Sequence, residues 1–146
     1  MGPIEIRPFR VDDQKMARQL ILEGLGEHFG TINEELNPDL DSISASYADD
    51  LFLVAEQAGV IVGCGALIYE GDGIARVQRM SVLRTLRRQG IAGAILDRLI
   101  AEARLQNCWR VVLETGFWED SVGFYTSRGF VATIQDPWGY NIAFDL

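Results

Sequence analysis

Residues Gly90–Asn107 place apolar side chains at Ile91, Ile95, Leu96, Leu99, Ile100 and Ala103, the spacing of an amphipathic helix. A stripe that continuous must be buried against another element, and both flanks read as strands. Ile74–Val82 precedes the helix, and the β-branched run Arg110–Thr115 follows it. The centre of the chain is therefore a β-loop-α-β unit, and the remaining segments have to build a sheet around it.

Those segments are shorter. Ile4–Arg7 alternates as a strand that Pro8 ends. Asp12 or Asp13 is placed to cap a helix carrying Met16, Leu20, Ile21 and Leu25 on its apolar face, with Gly24, Gly26 and Gly30 fraying its end. Residues 31–50 are polar and acidic, with a second helix expected around Leu40–Ala48. Leu51–Gln57 and Val60–Tyr69 predict a hairpin turning at Ala58-Gly59. After the central unit, Asp120 or Ser121 caps a short helix through Tyr125, and Gly129 stands where a left-handed C-terminal cap belongs. Phe130–Ile134 and Tyr140–Phe144 close the chain as an antiparallel pair around Asp136-Pro137-Trp138-Gly139. The order predicts a mixed α/β sheet. Residues 1–146 are expected to form one domain, since domains cluster near ~100–150 residues.

Charge narrows the partners. The net charge is −8, and residues 11–50 hold ten Asp/Glu against Lys15 and Arg18. In contrast Arg76, Arg79, Arg84, Arg87 and Arg88 crowd a stretch that contains no acid. Nucleic acid is disfavoured, because binding it needs a broad basic face. A local basic cluster on an acidic chain suits a small polyanion. No apolar run approaches the ~18–20 residues of a membrane helix, and the N-terminus lacks the pattern of a signal peptide, so no membrane role and a cytoplasmic location are expected. Cys64 and Cys108 have no pairing or ligand spacing, and His28 is the only histidine, so no metal site is expected.

Arg87-Arg88-Gln89-Gly90-Ile91-Ala92 stands between the strand and the strong helix. A helix start leaves about four backbone N–H groups without partners and carries roughly half a positive charge. Glycine lets an anion approach that backbone closely, so a diphosphate is the natural ligand. Ala92 and Gly93 keep the first turn uncluttered, while Arg87 and Arg88 add charge. The turn lacks the Gly-Lys-Ser/Thr ending of a P-loop and two of the three glycines of a dinucleotide fingerprint.

Three motifs in order make residues 74–130 resemble the GNAT superfamily of acetyl-CoA-dependent N-acetyltransferases. Arg87, Gly90 and Ala92 meet its Gln/Arg-x-x-Gly-x-Gly/Ala loop. Arg79-Met80-Ser81-Val82 and Leu113-Glu114-Thr115-Gly116 match its two central strands. Phe124-Tyr125-Thr126-Ser127-Arg128-Gly129-Phe130 matches its closing Phe-Tyr-x-x-x-Gly-Phe signature. The resemblance implies a mixed, mostly antiparallel sheet with helices on both faces. It also implies that acetyl-CoA binds along Met80, Ser81 and Val82 and at Arg87, Arg88, Gln89, Gly90, Ile91, Ala92 and Gly93. An amine would attack the thioester directly, with a backbone N–H near Val82 polarising the carbonyl and Tyr125 protonating the departing thiolate.

The general base is the point of departure. Relatives often carry a glutamate early on the strand before the loop, where this chain reads Ala75-Arg76-Val77-Gln78. Glu114 acting through water, Glu114 merely paired with Arg79, His28, and solvent alone all remain open. The acceptor is expected to be a small-molecule amine. Acids in the first helices (Glu23, Glu27, Glu34, Glu35, Asp39 and Asp41) tilt that expectation toward a cation. A non-catalytic acyl-CoA-binding module and a protein or peptide acceptor are the alternatives. The closing strands, with Trp138 and Tyr140, either complete the sheet or pair with a second copy in a homodimer.

Overall fold

A computed structural model describes residues 2–30, 34–116 and 118–146, apart from the side chains of His28, Glu119, Ile134 and Asp136. Seven strands form one sheet in the order β1-β2-β3-β4-β5-β7-β6. They are β1 (Ile4–Pro8), β2 (Leu51–Gln57), β3 (Val60–Gly71), β4 (Ile74–Val82), β5 (Arg110–Gly116), β6 (Val131–Asp136) and β7 (Gly139–Asp145). Among the described residues only β4 and β5 pair in parallel; the other five pairings are antiparallel. The helices are α1 (Gln14–Phe29), α2 (Ile43–Ser46), α3 (Ile91–Leu105) and α4 (Glu119–Ser127). The mixed, mostly antiparallel sheet follows the expected element order closely.

Two hydrophobic clusters sit on opposite faces, divided by the two-residue alternation of the strands. Along β2, Leu53 and Ala55 join the cluster around Ile95, Leu96 and Leu99 of α3, whereas Phe52 and Val54 join Leu20 and Ile21 of α1. Strand β3 is buried on both faces over most of its length, which explains its unbroken apolar run. Ala58 and Gly59 both have positive φ, 49° and 80°, as a two-residue turn between right-twisted strands requires.

Several local expectations are corrected by tertiary contacts. Strand β1 includes Pro8, which is tolerated because β1 is an edge strand. Helix α1 is entered through a 3-10 turn, Val11–Asp13, and the Asp13 carboxylate does not cap it. That carboxylate instead accepts from Arg7 Nη1 and Nη2 at 2.8 and 3.0 Å and from the Arg10 N–H at 2.8 Å. Met16 is 45% exposed, while Ala17, Leu20, Ile21 and Leu22 are buried. The glycines of α1 do not fray it. The helix continues to Phe29 and stops at Gly30, whose φ is 74°. A Cβ on Gly24 would lie 3.0 Å from Ser81 Oγ, so this glycine lets α1 lie close on β4. The helix expected at 40–48 is a 3-10 turn, Pro38–Asp41, followed by the single turn α2. Helix α4 starts earlier than expected: Trp118 takes the cap position, and Asp120 and Ser121 lie inside. Gly129 has a φ of 95°, the left-handed stop anticipated for it. The C-terminal hairpin completes this chain's own sheet, with β7 between β5 and β6.

Candidate active site

The parallel pairing of β4 and β5 covers only Ile74–Arg76 opposite Arg110–Val112. Beyond it the strands part, and the cause lies on the other side of β4. Gly65 of β3 faces two residues, Arg79 and Met80, because the register slips between Cys64 and Ala66. Arg79 has a φ of 57°, the backbone signature of the extra residue. Such a bulge bends its strand, here away from β5. Gly65 makes room for it, since any Cβ there would collide with Met80 Sδ and come within 2.9 Å of Ile95.

The ladder also fixes where the backbone points. The Leu83 N–H donates to the Val62 carbonyl at 2.9 Å, so by alternation the polar groups of Val82 face away from β3 and into the wedge. The Val82 carbonyl accepts from Arg87 Nε at 3.1 Å, whereas its N–H is directed at the opening. The wedge widens into a cavity of about 1000 Å³ bounded by α1, β4, the start of α3, β5, α4 and the β6–β7 turn. That lies at the upper end of the ~300–1,000 Å³ usual for ligand pockets, enough for a ligand of two parts.

One mouth of the cavity is the turn before α3. Arg88 and the cap residue Gly90 both have positive φ, 64° and 86°. The first intrahelical bond runs from the Ala94 N–H to the Gly90 carbonyl at 3.0 Å, so the N–H groups of Ile91, Ala92 and Gly93 precede it. Nothing lies within 4 Å of where a Gly90 Cβ would stand, which leaves the approach open to an anion. Of the loop residues singled out from sequence, Arg87, Arg88, Gly90, Ile91, Ala92 and Gly93 line the cavity and Gln89 does not. Met80, Ser81, Val82, Glu114 and Tyr125 line it as well.

Arg128, within the closing motif, belongs to the same mouth. Its guanidinium lies against Gly93, where a Cβ would overlap it, donates to Asp97 at 2.8 Å, and stands 5.3 Å from the Phe124 ring. Only the tertiary structure brings it to the start of α3, because α4 and α3 are separated by β5. Elsewhere the basic cluster is largely neutralised. Arg76 is held by Glu70 and Glu114, Arg79 by Asp39, and Arg87 by Glu27 at 2.6 Å. Arg88 makes no ion pair among the described residues.

Tyr125 is 7% exposed, its ring wedged between Phe124 and Phe130 at centroid distances of 4.9 and 5.7 Å. No hydrogen bond engages its hydroxyl among the described residues, and none of the sealed side-chain polar atoms lacks a partner, so the hydroxyl opens onto the cavity. Burial pushes its pKa above the ordinary phenol value. Glu114 does not pair with Arg79, as one reading of the sequence had it. It accepts from Arg76 Nη1 at 3.2 Å, with its side chain 70% exposed. Arg79 turns the other way because the bulge re-aims it, and Asp39 accepts from its Nη2 and Nε at 2.6 and 3.1 Å. The His28 side chain lies outside the described residues.

The acids of the first helices do not reach the cavity. Among the described residues none of Glu23, Glu27, Glu34, Glu35, Asp39 and Asp41 lines it. Asp39 also accepts from the Tyr47 hydroxyl at 2.6 Å; burial opposes its ionisation, but Arg79 and Tyr47 hold its pKa below the ordinary value. Glu34 faces Arg18 at 3.4 Å. Among the described residues the cavity's acids are Glu114 and Asp120 instead. Cys64 is fully buried, with its thiol on the Arg79 carbonyl at 3.2 Å and its pKa pushed up to about 12, and it is inert as a nucleophile.

A splayed parallel strand pair, a helix start open to a diphosphate and a phenol facing the gap together define an acyl-CoA-dependent acyltransferase fold. Residues 48–132 match the family model described as "Acetyltransferase (GNAT) domain". An IAA acetyltransferase of Azospirillum brasilense is 34% identical over 113 residues, which span 75% of this chain and 74% of that one. Glucosamine 6-phosphate N-acetyltransferase 1 of Oryza sativa subsp. japonica is 28% identical over 134 residues, 86% and 80% of the two chains. The PaiA N-acetyltransferase of Thermoplasma acidophilum, solved in complex with coenzyme A, shares the fold at a TM-score of 0.84 over 99% of both chains and 18% identity. The chain belongs to the GNAT family and is an acetyl-CoA-dependent N-acetyltransferase. No helix among the described residues is long and apolar enough to cross a membrane.

Proposed function

We propose that this chain transfers the acetyl group of acetyl-CoA directly to the primary amine of a small molecule, within the wedge between β4 and β5. The observation that carries the reading is the Val82 N–H and the Tyr125 hydroxyl, both without a partner among the described residues and both facing one cavity that ends at the α3 start. The pyrophosphate would take the N–H groups of Ile91, Ala92 and Gly93 with Arg88 and Arg128 beside it, and the pantetheine arm would run along Met80–Val82.

The amine nitrogen attacks the thioester carbonyl carbon, and the Val82 N–H stabilises the oxyanion that forms. Collapse makes the C–N bond and breaks the C–S bond. The thiolate leaves toward Tyr125, and the proton lost from nitrogen passes to water. A phenol whose pKa is raised by burial stays protonated at neutral pH, so it meets the thiolate as a donor and regains a proton from solvent as CoA leaves. An alkylamine arrives as the ammonium, and freeing it near pH 7 costs about 4–5 kcal/mol. Glu114 on β5 would accept that proton through water, since its carboxylate borders the cavity and reaches solvent.

Thermal unfolding with acetyl-CoA, CoA, ATP and NAD in parallel tests the reading. A ligand at 100 times its Kd adds about 2.7 kcal/mol, a rise of several degrees. Stabilisation by acetyl-CoA and CoA alone, followed by amine-dependent release of thiol, is the expected result. No shift with either at millimolar concentration would sink it.

A further inference from the structure

We infer that the acceptor amine is carried by an aromatic or similarly flat apolar body on a short alkyl spacer, seated among Phe29, Trp118 and Trp138. The inference rests on the proposed amine acetylation and names its substrate class. Three separate elements bring these rings to one end of the cavity: the last residue of α1, the cap of α4 and the β6–β7 turn. Phe29 and Trp118 meet edge to face, with centroids 5.5 Å apart at 79°. The Trp118 ring lies on the backbone at the end of β5, where a Cβ on Gly116 would stand 2.8 Å from it, so the glycine is what admits the indole. Gly116 is paired with Gly139, which sets Trp138 beside the same strand end. There too the backbones are packed too closely for a side chain, since a Cβ on Gly139 would collide with the Thr115 carbonyl.

Phe29 is 63% exposed and Trp138 85%, although both border the cavity. Large exposed rings at the rim of a cavity are apolar surface that a ligand can cover. Leu25 and Tyr140 extend the apolar wall, and the acids of α1 are turned elsewhere. Glu114 precedes Gly116 by two residues, about 7 Å along the strand. A ring stacked at the strand end would thus place an amine, two or three bonds away, beside Glu114 and the wedge.

The test is a panel of phenethylamine, tryptamine, spermidine and glucosamine 6-phosphate, read by thiol release, with acetyl-CoA binding measured separately by thermal shift. The aromatic amines should exceed the other two at least tenfold in kcat/KM. Phe29→Leu and Trp138→Ala change exposed side chains, so folding should survive. Each should raise the KM for phenethylamine about 2- to 10-fold, the worth of one aromatic contact, while the acetyl-CoA shift persists. Trp138→Phe should restore most of the loss. A preference for spermidine or glucosamine 6-phosphate, no turnover of any aromatic amine by protein that binds acetyl-CoA, or unchanged KM in both variants would each overturn the inference and leave the acetyltransferase standing. Failure to bind acetyl-CoA at all would instead remove the reading beneath it.

Discussion

Replacing Tyr125 with Phe separates catalysis from packing in a single atom. The ring contacts with Phe124 and Phe130 survive the change, and the hydroxyl that is lost has no hydrogen bond among the described residues. Stability should therefore change by less than about 1 kcal/mol, a melting-point difference below about 4 °C for a chain of this length. Turnover should not be spared. General acids contribute about 10²–10⁴-fold. The low end applies here, because a thiol with a pKa near ~8.5 already leaves well and complete transfer from a raised phenol runs uphill. The expected drop in kcat is about 10²-fold, or ~2.7 kcal/mol of barrier, with the KM for acetyl-CoA little changed. Because the shift is upward, wild-type activity should show no loss from Tyr125 ionisation until the pH exceeds about 10, the ordinary phenol value. Steady-state thiol release across pH 6–10, beside a melting curve for each protein, measures all of this. A Tyr125→Phe enzyme that melts normally and turns over within twofold of wild type would refute the role and return Tyr125 to the core.

Other perturbations probe the frame around that atom. Gly90→Ala forces a side chain into a left-handed conformation, costing about 1–2 kcal/mol in denaturant unfolding, and crowds the open approach to α3; the KM for acetyl-CoA should rise at least tenfold. Asp39→Ala strips the Arg79 guanidinium of its partner and should cost about 1.5–3 kcal/mol of stability, with a higher KM for acetyl-CoA as the β4 bulge loosens. Asp13 is buried, and its pKa is lowered chiefly by the Arg7 hydrogen bond. A lowered folded pKa means this stabilisation is complete above about pH 4 and is lost as pH falls through the folded value, so urea midpoints should drop on acidification and do so less steeply in Asp13→Asn. Leu96→Ala empties a fully buried site under α3 and should cost about 2–5 kcal/mol, read by the same urea titration.

Most of the architecture was legible because it rests on local periodicity. The stripe from Ile91 to Ala103, the two flanking runs and the Ala58-Gly59 turn each specify an element without reference to anything distant, and the open α3 start follows from Gly90 alone. What the sequence could not determine was which charges meet. Arg79 is three residues from Arg76, yet a bulge opposite Gly65 sends one to Asp39 and leaves the other on Glu70 and Glu114. The acids of the first helices tilt a reading of charge alone toward a cationic acceptor, whereas the packing of α1 on β4 turns Glu27 to Arg87. Likewise Arg128 reaches the α3 start, and Phe29, Trp118 and Trp138 reach one strand end, only because close-packed glycines at 93, 116 and 139 let distant segments touch. Periodicity acts over a few residues, so one chain displays it; ion pairs and ring clusters form across dozens of residues, and the folded sheet alone decides them.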